Sequence, residues 1–304
     1  MNSAVFNPSA AASTAPTAAE PPRAATVAPA APRAAATAPA RAPRPPVDWR
    51  GVWLAVLPPL LGIGLLVGIW AVATAGSSSL PTPAATFEAA VKLFADPFYR
   101  NGPNDQGIGW NVLNSLQRVA IGFGLAAAVG IPLGFVIGRF DFVGRMFGPL
   151  ISLLKPVSPL AWLPIGLLVF KRADPAAIWT IFICSIWPMV VNTAVGVQRV
   201  PQDYLNVARV LNLNEWKVIT RILFPAVLPY MLTGVRLSVG TAWLVIVAAE
   251  MLTGGVGIGF WVWDEWNNLN VKHIIVAIFV IGIVGLALEQ LLMAIARRFS
   301  YEDR

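Results

Sequence analysis

The sequence predicts an all-α membrane protein with about six transmembrane helices. Of its 304 residues, 57% are hydrophobic and only 12% are charged, whereas a soluble domain carries about 25% charged residues. Long runs without charge account for the difference, and a run of about 18 or more apolar residues is typical of a membrane helix. Basic residues flank these runs, as membrane insertion requires. The net charge of +7 therefore indicates a membrane protein rather than one that binds nucleic acid.

Six segments are long enough to cross a hydrocarbon core of about 30 Å at about 1.5 Å per residue. They cover approximately residues 52–75, 119–138, 147–170, 176–197, 231–252 and 274–296. Lys155 and four prolines interrupt the third segment. The connection before the second segment is long, and residues 86–94 in it are expected to form a short amphipathic helix with Phe87, Val91 and Phe94 on one face.

Lys and Arg are distributed unevenly between the two sides of the membrane. If the N-terminus is inside, 15 of the 22 basic residues are inside and 6 are outside. This bias places both termini in the cytoplasm. Residues 1–47 are rich in Ala and Pro, with Glu20 as their one acidic residue. They are expected to be a disordered cytoplasmic tail, with an organellar transit peptide as the alternative, and residues 48–304 form the transmembrane domain.

The composition excludes several kinds of chemistry. One Cys and one His exclude a disulfide framework and a metal site built from several Cys or His ligands. No Lys is followed by Ser or Thr, so the chain has no Walker A phosphate loop. No cofactor or metal is therefore expected on this chain. If ATP drives the protein, another chain must bind it.

A polar stretch between the fourth and fifth spans, about residues 201–229, is expected to form two short helices. Pro201 and Asp203 suit a helix start. One face of this helix then carries Tyr204, Val207, Ala208 and Leu211. Asn212 follows where the chain must turn, and Asn tolerates the left-handed conformation.

The second helix is expected to start at Asn214 as its cap and to run to about Leu223. Its apolar side carries Trp216, Ile219 and Leu223, and Pro225 and Pro229 end it before the fifth span. Two helices at an angle would project as a knob that can pass a rigid-body movement into the membrane. On spacing alone, an ordinary interfacial loop helix is equally compatible.

The same stretch resembles the cytoplasmic coupling loop of ABC importer permeases. The pattern of that loop is Glu-Ala-Ala, three residues, Gly, nine residues, Ile-x-Leu-Pro. The register fits without a gap at Asn206, Val207, Ala208, Asn212, Ile222, Phe224 and Pro225. The chain departs from the pattern by Asn for Glu at 206, Val for Ala at 207, Asn for Gly at 212 and Phe for Leu at 224.

The resemblance covers roughly residues 52–298. Leu80-Pro-Thr-Pro83, Ser115-Leu-Gln-Arg118, Leu160-Ala-Trp-Leu-Pro164 and Gly257-Ile-Gly259 look like the nitrate, cyanate and bicarbonate branch, close to the taurine and aliphatic sulfonate branch. Within it, Asp96-Pro-Phe-Tyr and Ala248-Ala-Glu250 favour nitrate permeases.

The resemblance implies a type I ABC importer permease fold without enzyme activity. It also implies a second permease copy, two ATPase subunits that use ATP and Mg²⁺, and a periplasmic or lipid-anchored solute-binding protein. The residues implied to couple to the ATPase are Tyr204, Asn206, Val207, Ala208, Leu211, Asn212, Trp216, Ile219, Ile222 and Pro225.

Polar and aromatic residues in the spans are candidates for the pathway or its gate: Lys155, Trp162, Trp187, Trp243 and Glu250. A carboxylate in a span suggests function, but Glu250 near a span end can equally be hydrated or paired with a basic residue. Lys155, beside helix-breaking prolines, either attracts an anion or extends its side chain to the interface. The tryptophans either line a pathway or anchor at the interface. Glu289 is expected to be structural.

Overall fold

The computed structural model describes residues 49–76 and 80–299, which are predominantly helical. The expected disordered tail at 1–47 lies outside the described residues. The described ranges contain no β-strand, only an isolated bridge between Arg100 and Gln106. The helices are α1 (Trp49–Thr74), α2 (Pro83–Ala95), α3 (Ile108–Arg139), α4 (Asp141–Leu154), α5 (Pro159–Phe170), α6 (Ala173–Gln198), α7 (Gln202–Val210), α8 (Glu215–Val218), a π-helical turn (Ile219–Leu223), α9 (Phe224–Thr253), α10 (Ile258–Asn267) and α11 (Val271–Phe299).

Five helical segments among the described residues are long and apolar enough to cross a membrane. They are Val56–Thr74, Ile108–Arg139, Ala173–Gln198, Glu215–Thr253 and Val271–Arg298. The expected helix between the first two spans is also present, as α2. Its residues Phe87, Val91 and Phe94 are exposed, whereas Thr86 and Ala89 are buried. The predicted all-α class is confirmed.

The third predicted span, 147–170, is interrupted as expected, and the structure divides it into two helices. It begins earlier, at Asp141, and α4 and α5 are bent by 98° at their break. The break falls at residues 155–158, between Leu154 and Pro159. Pro156 lacks a backbone N–H and its ring clashes with the preceding turn, so α4 cannot continue. Pro159 then starts α5, where its missing donor does no harm. The pair counts as a sixth span only if the bent pair crosses as one unit.

The centre of the bundle is formed by α3, α6 and α9. A side chain on α3 at Gly134 would place its Cβ 2.6 Å from Thr193, and one at Gly138 would place it 2.7 Å from Val197. Glycines spaced by four residues let two helix backbones approach closely, which is a recurrent way to associate helices in a membrane. A hydrogen bond from Ser238 Oγ to the Ser185 carbonyl, 2.6 Å, ties α9 to the other side of α6.

The prolines after the polar stretch do not end a helix, contrary to the expectation from sequence. Helical structure runs from Glu215 to Thr253. The Phe224 N–H bonds to the Ile219 carbonyl, five residues back, so the π-helical turn shifts the hydrogen-bond register just before Pro225. Pro225 then lies at the start of α9, where a missing N–H is tolerated. Pro229 remains within α9.

Candidate functional site

The polar stretch forms a knob, defined as residues 201–223, at one end of the bundle. In its first helix, Leu205 and Ala208 are buried in a cluster with Phe135 and Val227. Tyr204, Val207 and Leu211 are 56%, 56% and 63% exposed. The prediction that Ala208 shares one face with Tyr204, Val207 and Leu211 is therefore wrong. Its small side chain is instead buried within the chain. Asn206 is exposed beside it.

The turn that closes the first helix is as expected. Asn212 has φ 47°, the left-handed conformation that Asn tolerates better than most residues. The Leu213 N–H bonds to the Ala208 carbonyl and the Asn212 N–H to the Arg209 carbonyl, both at 3.0 Å. These two bonds are the Schellman pattern that satisfies the last carbonyls of a helix.

The second helix starts at Asn214 as predicted, but the Asn214 side chain makes no capping hydrogen bond among the described residues. Its carbonyl instead accepts from the Lys217 and Val218 N–H groups. Val218 and Leu223 are buried, and Ile219 and Ile222 are half-buried. Trp216, predicted on the apolar side with Ile219 and Leu223, is 71% exposed, whereas the inward positions belong to Val218 and Leu223.

An ion pair links the knob to the bundle. Arg139, at the end of α3, contacts Glu215 through Nη2 and Oε1 at 3.0 Å. The knob also exposes four large apolar side chains, those of Tyr204, Val207, Leu211 and Trp216. Exposed apolar side chains grouped on one projecting surface are typical of an interaction site.

A carboxylate clasp lies at the opposite end of the bundle, defined as Asn111, Ser115, Arg118, Glu250, Gly257 and Gly259. Glu250 is 1% exposed. Its carboxylate contacts Arg118 Nη1 at 2.6 Å and Ser115 Oγ at 2.8 Å. It also accepts the Gly259 N–H at 3.0 Å. A buried charge needs such partners, so the expected pairing with a basic residue is what the structure contains, although Glu250 is buried rather than hydrated.

The two glycines of the clasp leave room for the carboxylate. A Cβ on Gly257 would lie 2.5 Å from either oxygen of Glu250, and one on Gly259 would lie 2.9 Å from its Cβ. The Gly257 N–H bonds to Asn111 Oδ1 and the Ile258 N–H to Ser115 Oγ, both at 2.9 Å. The first N–H groups of α10, which have no partner within a helix, are satisfied in this way by α3.

Arg118 extends the clasp to two further elements. Its Nη1 donates to the Val256 carbonyl at 2.7 Å, and its Nη2 lies 2.7 Å from Asp174 Oδ1 at the start of α6. One guanidinium thus joins α3, α6, α9 and the turn before α10. Guanidinium donors in a fixed fork suit such multiple contacts.

The remaining pathway candidates are not brought together. Lys155 is exposed at the break between α4 and α5, and Trp162 is half-buried in α5. Trp187 packs against the buried cluster around Met189. Trp243 is buried at 3% exposure, and its Nε1 donates to the Ile281 carbonyl at 2.9 Å.

Comparison with known proteins identifies the family. A profile described as "Binding-protein-dependent transport system inner membrane component" matches residues 130–301, more than half of the chain. The chain belongs to this family. It is thus a multi-pass permease component of the inner membrane.

Individual relatives agree with the family. The permease is 48% identical over 236 residues to "Nitrate import permease protein NrtB" of a Synechocystis strain, covering 77% of this chain and 86% of the relative. It is 44% identical to the protein of that name from Leptolyngbya laminosa, covering 87% and 96%. It is 43% identical to "Bicarbonate transport system permease protein CmpB" of Synechococcus elongatus, covering 80% and 88%.

The fold of the permease is also found in solved structures. A chain of the inward-facing MetNI methionine ABC transporter superposes with a TM-score of 0.57 at 12% identity, covering 62% of this chain and 94% of that chain. The predicted ABC importer permease fold is confirmed.

The parts of the clasp are recognisable in the sequence, but their association is not. Ser115-Leu-Gln-Arg118, Glu250 and Gly257-Ile-Gly259 stood out separately, and the structure makes them one polar cluster. The signal available from sequence was a carboxylate in an apolar run that needs a basic partner. With several basic residues near span ends, that rule does not choose Arg118.

Proposed function

We propose that this permease is the membrane-spanning, passive subunit of an ATP-driven importer. Two copies would enclose the pathway, two separate ATPase subunits would bind at the knobs, and a periplasmic or lipid-anchored binding protein would deliver the solute. Both termini and the knob would then be cytoplasmic. The observation that carries the proposal is the exposed apolar surface of the knob, which has no function in a chain acting alone.

The knob is built to transmit movement. Its base is fixed by Leu205, Ala208 and Leu223 in the protein interior and by the ion pair of Arg139 with Glu215. A partner bound to Tyr204, Val207 and Leu211 would therefore move the helices on which the knob packs, α3 and α9, rather than only bend a loop. A stand-alone channel or secondary transporter would not need this surface.

The coupling role is tested by charges placed on and beneath the exposed surface. Leu211→Asp should leave folding intact but abolish solute-stimulated ATP hydrolysis and uptake, because the partner would have to bury an unpaired charge. Ala208→Asp is the contrasting variant: it buries the charge within the chain and should reduce the amount of folded protein. Normal uptake by a well-folded Leu211→Asp transporter would contradict coupling through this surface.

We propose a small inorganic anion as solute, nitrate first. Relatives at 44–48% identity carry the name of a nitrate import permease, and a bicarbonate permease stands at 43%. Bicarbonate is therefore the second candidate, followed by cyanate and by taurine or aliphatic sulfonates. A monovalent anion also suits a low-dielectric path, since the desolvation penalty rises steeply with charge.

Growth and uptake distinguish these solutes. A strain lacking the gene should take up labelled nitrate slowly and grow poorly on low nitrate, yet normally on ammonium. Reintroducing the gene should restore both. Unchanged nitrate uptake together with loss of labelled bicarbonate uptake would assign bicarbonate instead, and loss of growth on taurine alone would assign sulfonates.

A further inference from the structure

A groove between α9 and α11 contains a third Arg–Glu pair, separate from the knob and from the carboxylate clasp. The groove has a volume of about 590 Å³ and is lined by Thr233, Arg236, Gly240, Trp243, Gly285 and Glu289 among others. Both charged residues lie within segments apolar enough to span a membrane. Because α9 leaves the knob and α11 ends near the C-terminus of the chain, Arg236 and Glu289 lie toward the end of the bundle that carries the knob.

The pair is only partly enclosed by this chain. The side chains of Arg236 and Glu289 are 52% and 43% exposed, and both line the groove. Charged residues in spans are costly to insert, and for that reason they tend to mark ion or substrate pathways. The clasp shows the contrast, since there the carboxylate is 1% exposed.

The geometry of the pair leaves the guanidinium partly free. Arg236 Nε donates to Glu289 Oε1 at 3.0 Å, and Nη2 contacts the same oxygen. Among the described residues, Nη1 donates no hydrogen bond. The other donors that line the groove are in use: Trp243 Nε1 donates to the Ile281 carbonyl and the Thr233 hydroxyl to the Pro229 carbonyl. Arg236 is therefore the source of free N–H donors in this groove.

We propose that Arg236 is an anion-binding residue of the translocation pathway and that Glu289 lowers its affinity for the anion. This inference rests on the proposed function as an anion importer. A planar oxyanion with two acceptor oxygens matches the two outer nitrogens of a guanidinium. The anion would compete with Glu289 for Nη2, and the nearby negative charge would keep binding weak enough for release, as conduction requires. The groove is open beside Gly240 and Gly282, since a Cβ at either position would meet no atom within 4 Å.

The test uses the whole transporter, with its ATPase and binding protein, reconstituted in vesicles of zwitterionic lipid. Uptake of labelled nitrate and ATP hydrolysis are measured together, with the loaded binding protein at saturation. Arg236→Gln should reduce uptake by roughly tenfold or more, the range for losing a hydrogen bond to a charged group, while ATP hydrolysis continues. The uptake rate of Arg236→Lys should lie between those of the wild type and Arg236→Gln, because Lys keeps the positive charge but lacks the two outer nitrogens of the guanidinium. Lys92→Gln, which breaks an ion pair on α2, is the control and should change neither rate.

Exchange of the two charges separates an anion-binding role from a structural one. The double variant Arg236→Glu with Glu289→Arg restores an ion pair across the same two helices but moves the guanidinium. The proposal requires nitrate uptake to stay low; recovery to the wild-type rate would show that only the pair matters and would overturn it.

Two further outcomes separate this proposal from the proposed function. Normal nitrate uptake by both the wild type and Arg236→Gln would refute the anion-binding residue alone. A wild-type transporter that moves no labelled nitrate or bicarbonate would refute the anion importer and with it this inference. The same variants compared in vesicles with anionic phospholipid identify the remaining source of an oxyanion: a defect seen only there would assign Arg236 to a lipid headgroup and overturn the solute role.

Discussion

Replacing Arg118 with Met should destabilise the permease far more than breaking an exposed ion pair. The side chains of Arg118 and Glu250 are 13% and 1% exposed, so the substitution leaves a carboxylate without its cation in the protein interior. Breaking a buried pair from one side costs roughly 3–5 kcal/mol. Glu250 keeps its contacts to Ser115 and the Gly259 N–H, which places the expected loss toward the lower end of that range.

The assay is thermal loss of monodisperse protein in detergent, followed by size-exclusion chromatography. With about 2–4 °C per kcal/mol for a domain of similar size, a loss of about 3–4 kcal/mol should lower the midpoint by about 6–16 °C. Lys92→Met is the control: its ion pair with Glu88 is 74% and 70% exposed, and its loss should leave the midpoint unchanged within error.

A double variant tests whether charge is the cause. In Arg118→Met with Glu250→Gln the amide oxygen can still accept the Gly259 N–H, and no unpaired charge remains. This protein should therefore recover much of the midpoint lost by Arg118→Met. An Arg118→Met permease that melts like the wild type would show that the guanidinium does not hold the carboxylate, and the account of the clasp would be wrong.

Three other outcomes follow from the same structure. Gly257→Ala should lower the thermal midpoint, because its Cβ would collide with the clasp carboxylate. Gly240→Ala meets no neighbour and should leave the midpoint unchanged. Equal midpoints for the two variants would contradict the role of Gly257 in the clasp. Asn212→Gly should fold normally, whereas Asn212→Val should lose about 1 kcal/mol or more of stability. The reason is that residue 212 has φ 47°, a conformation that a β-branched residue tolerates poorly. The same thermal assay compares the two variants. In a cysteine-free background, Asn104→Cys should react with an impermeant thiol reagent from outside and Asn214→Cys only after permeabilisation, and the reverse labelling would refute the charge-based orientation.

The approximate positions of five spans could be predicted because hydrophobic runs are local. The bend between α4 and α5 was only partly predictable. Pro156 and Pro159 announce an interruption, but whether the two halves stay nearly collinear or turn by 98° depends on what they pack against. Pro225 shows the opposite error: proline rules predict an end, and the π-helical turn at Ile219–Leu223 allows the helix to continue.

Burial within the knob could not be predicted from helical spacing. Spacing groups Ala208 with Tyr204, Val207 and Leu211, but it does not say which edge of that broad stripe faces the protein. Only the packing of Leu205 and Ala208 against Phe135 and Val227 decides it. The clasp depends on tertiary structure even more strongly, since Ser115 and Glu250 are 135 positions apart.

If a partner moves the knob as proposed, the three Arg–Glu pairs indicate how that movement would reach Arg236. Glu215, Arg236 and Glu250 all lie on the continuous helical segment Glu215–Thr253. Glu215 and Glu250 pair with Arg139 and Arg118, toward the two ends of α3, whereas Arg236 pairs with Glu289 on α11. At the knob the pair is partly exposed, in the groove both members are about half exposed, and in the clasp the carboxylate is buried. Since the contribution of an ion pair depends on its burial, the clasp should hold its end of the segment most firmly. Arg236 lies between Glu215 and Glu250 on this segment, and its pair with Glu289 is less buried than the pair of Glu250 with Arg118. A displacement applied at the knob would therefore change the geometry around Arg236 before it disturbed Glu250.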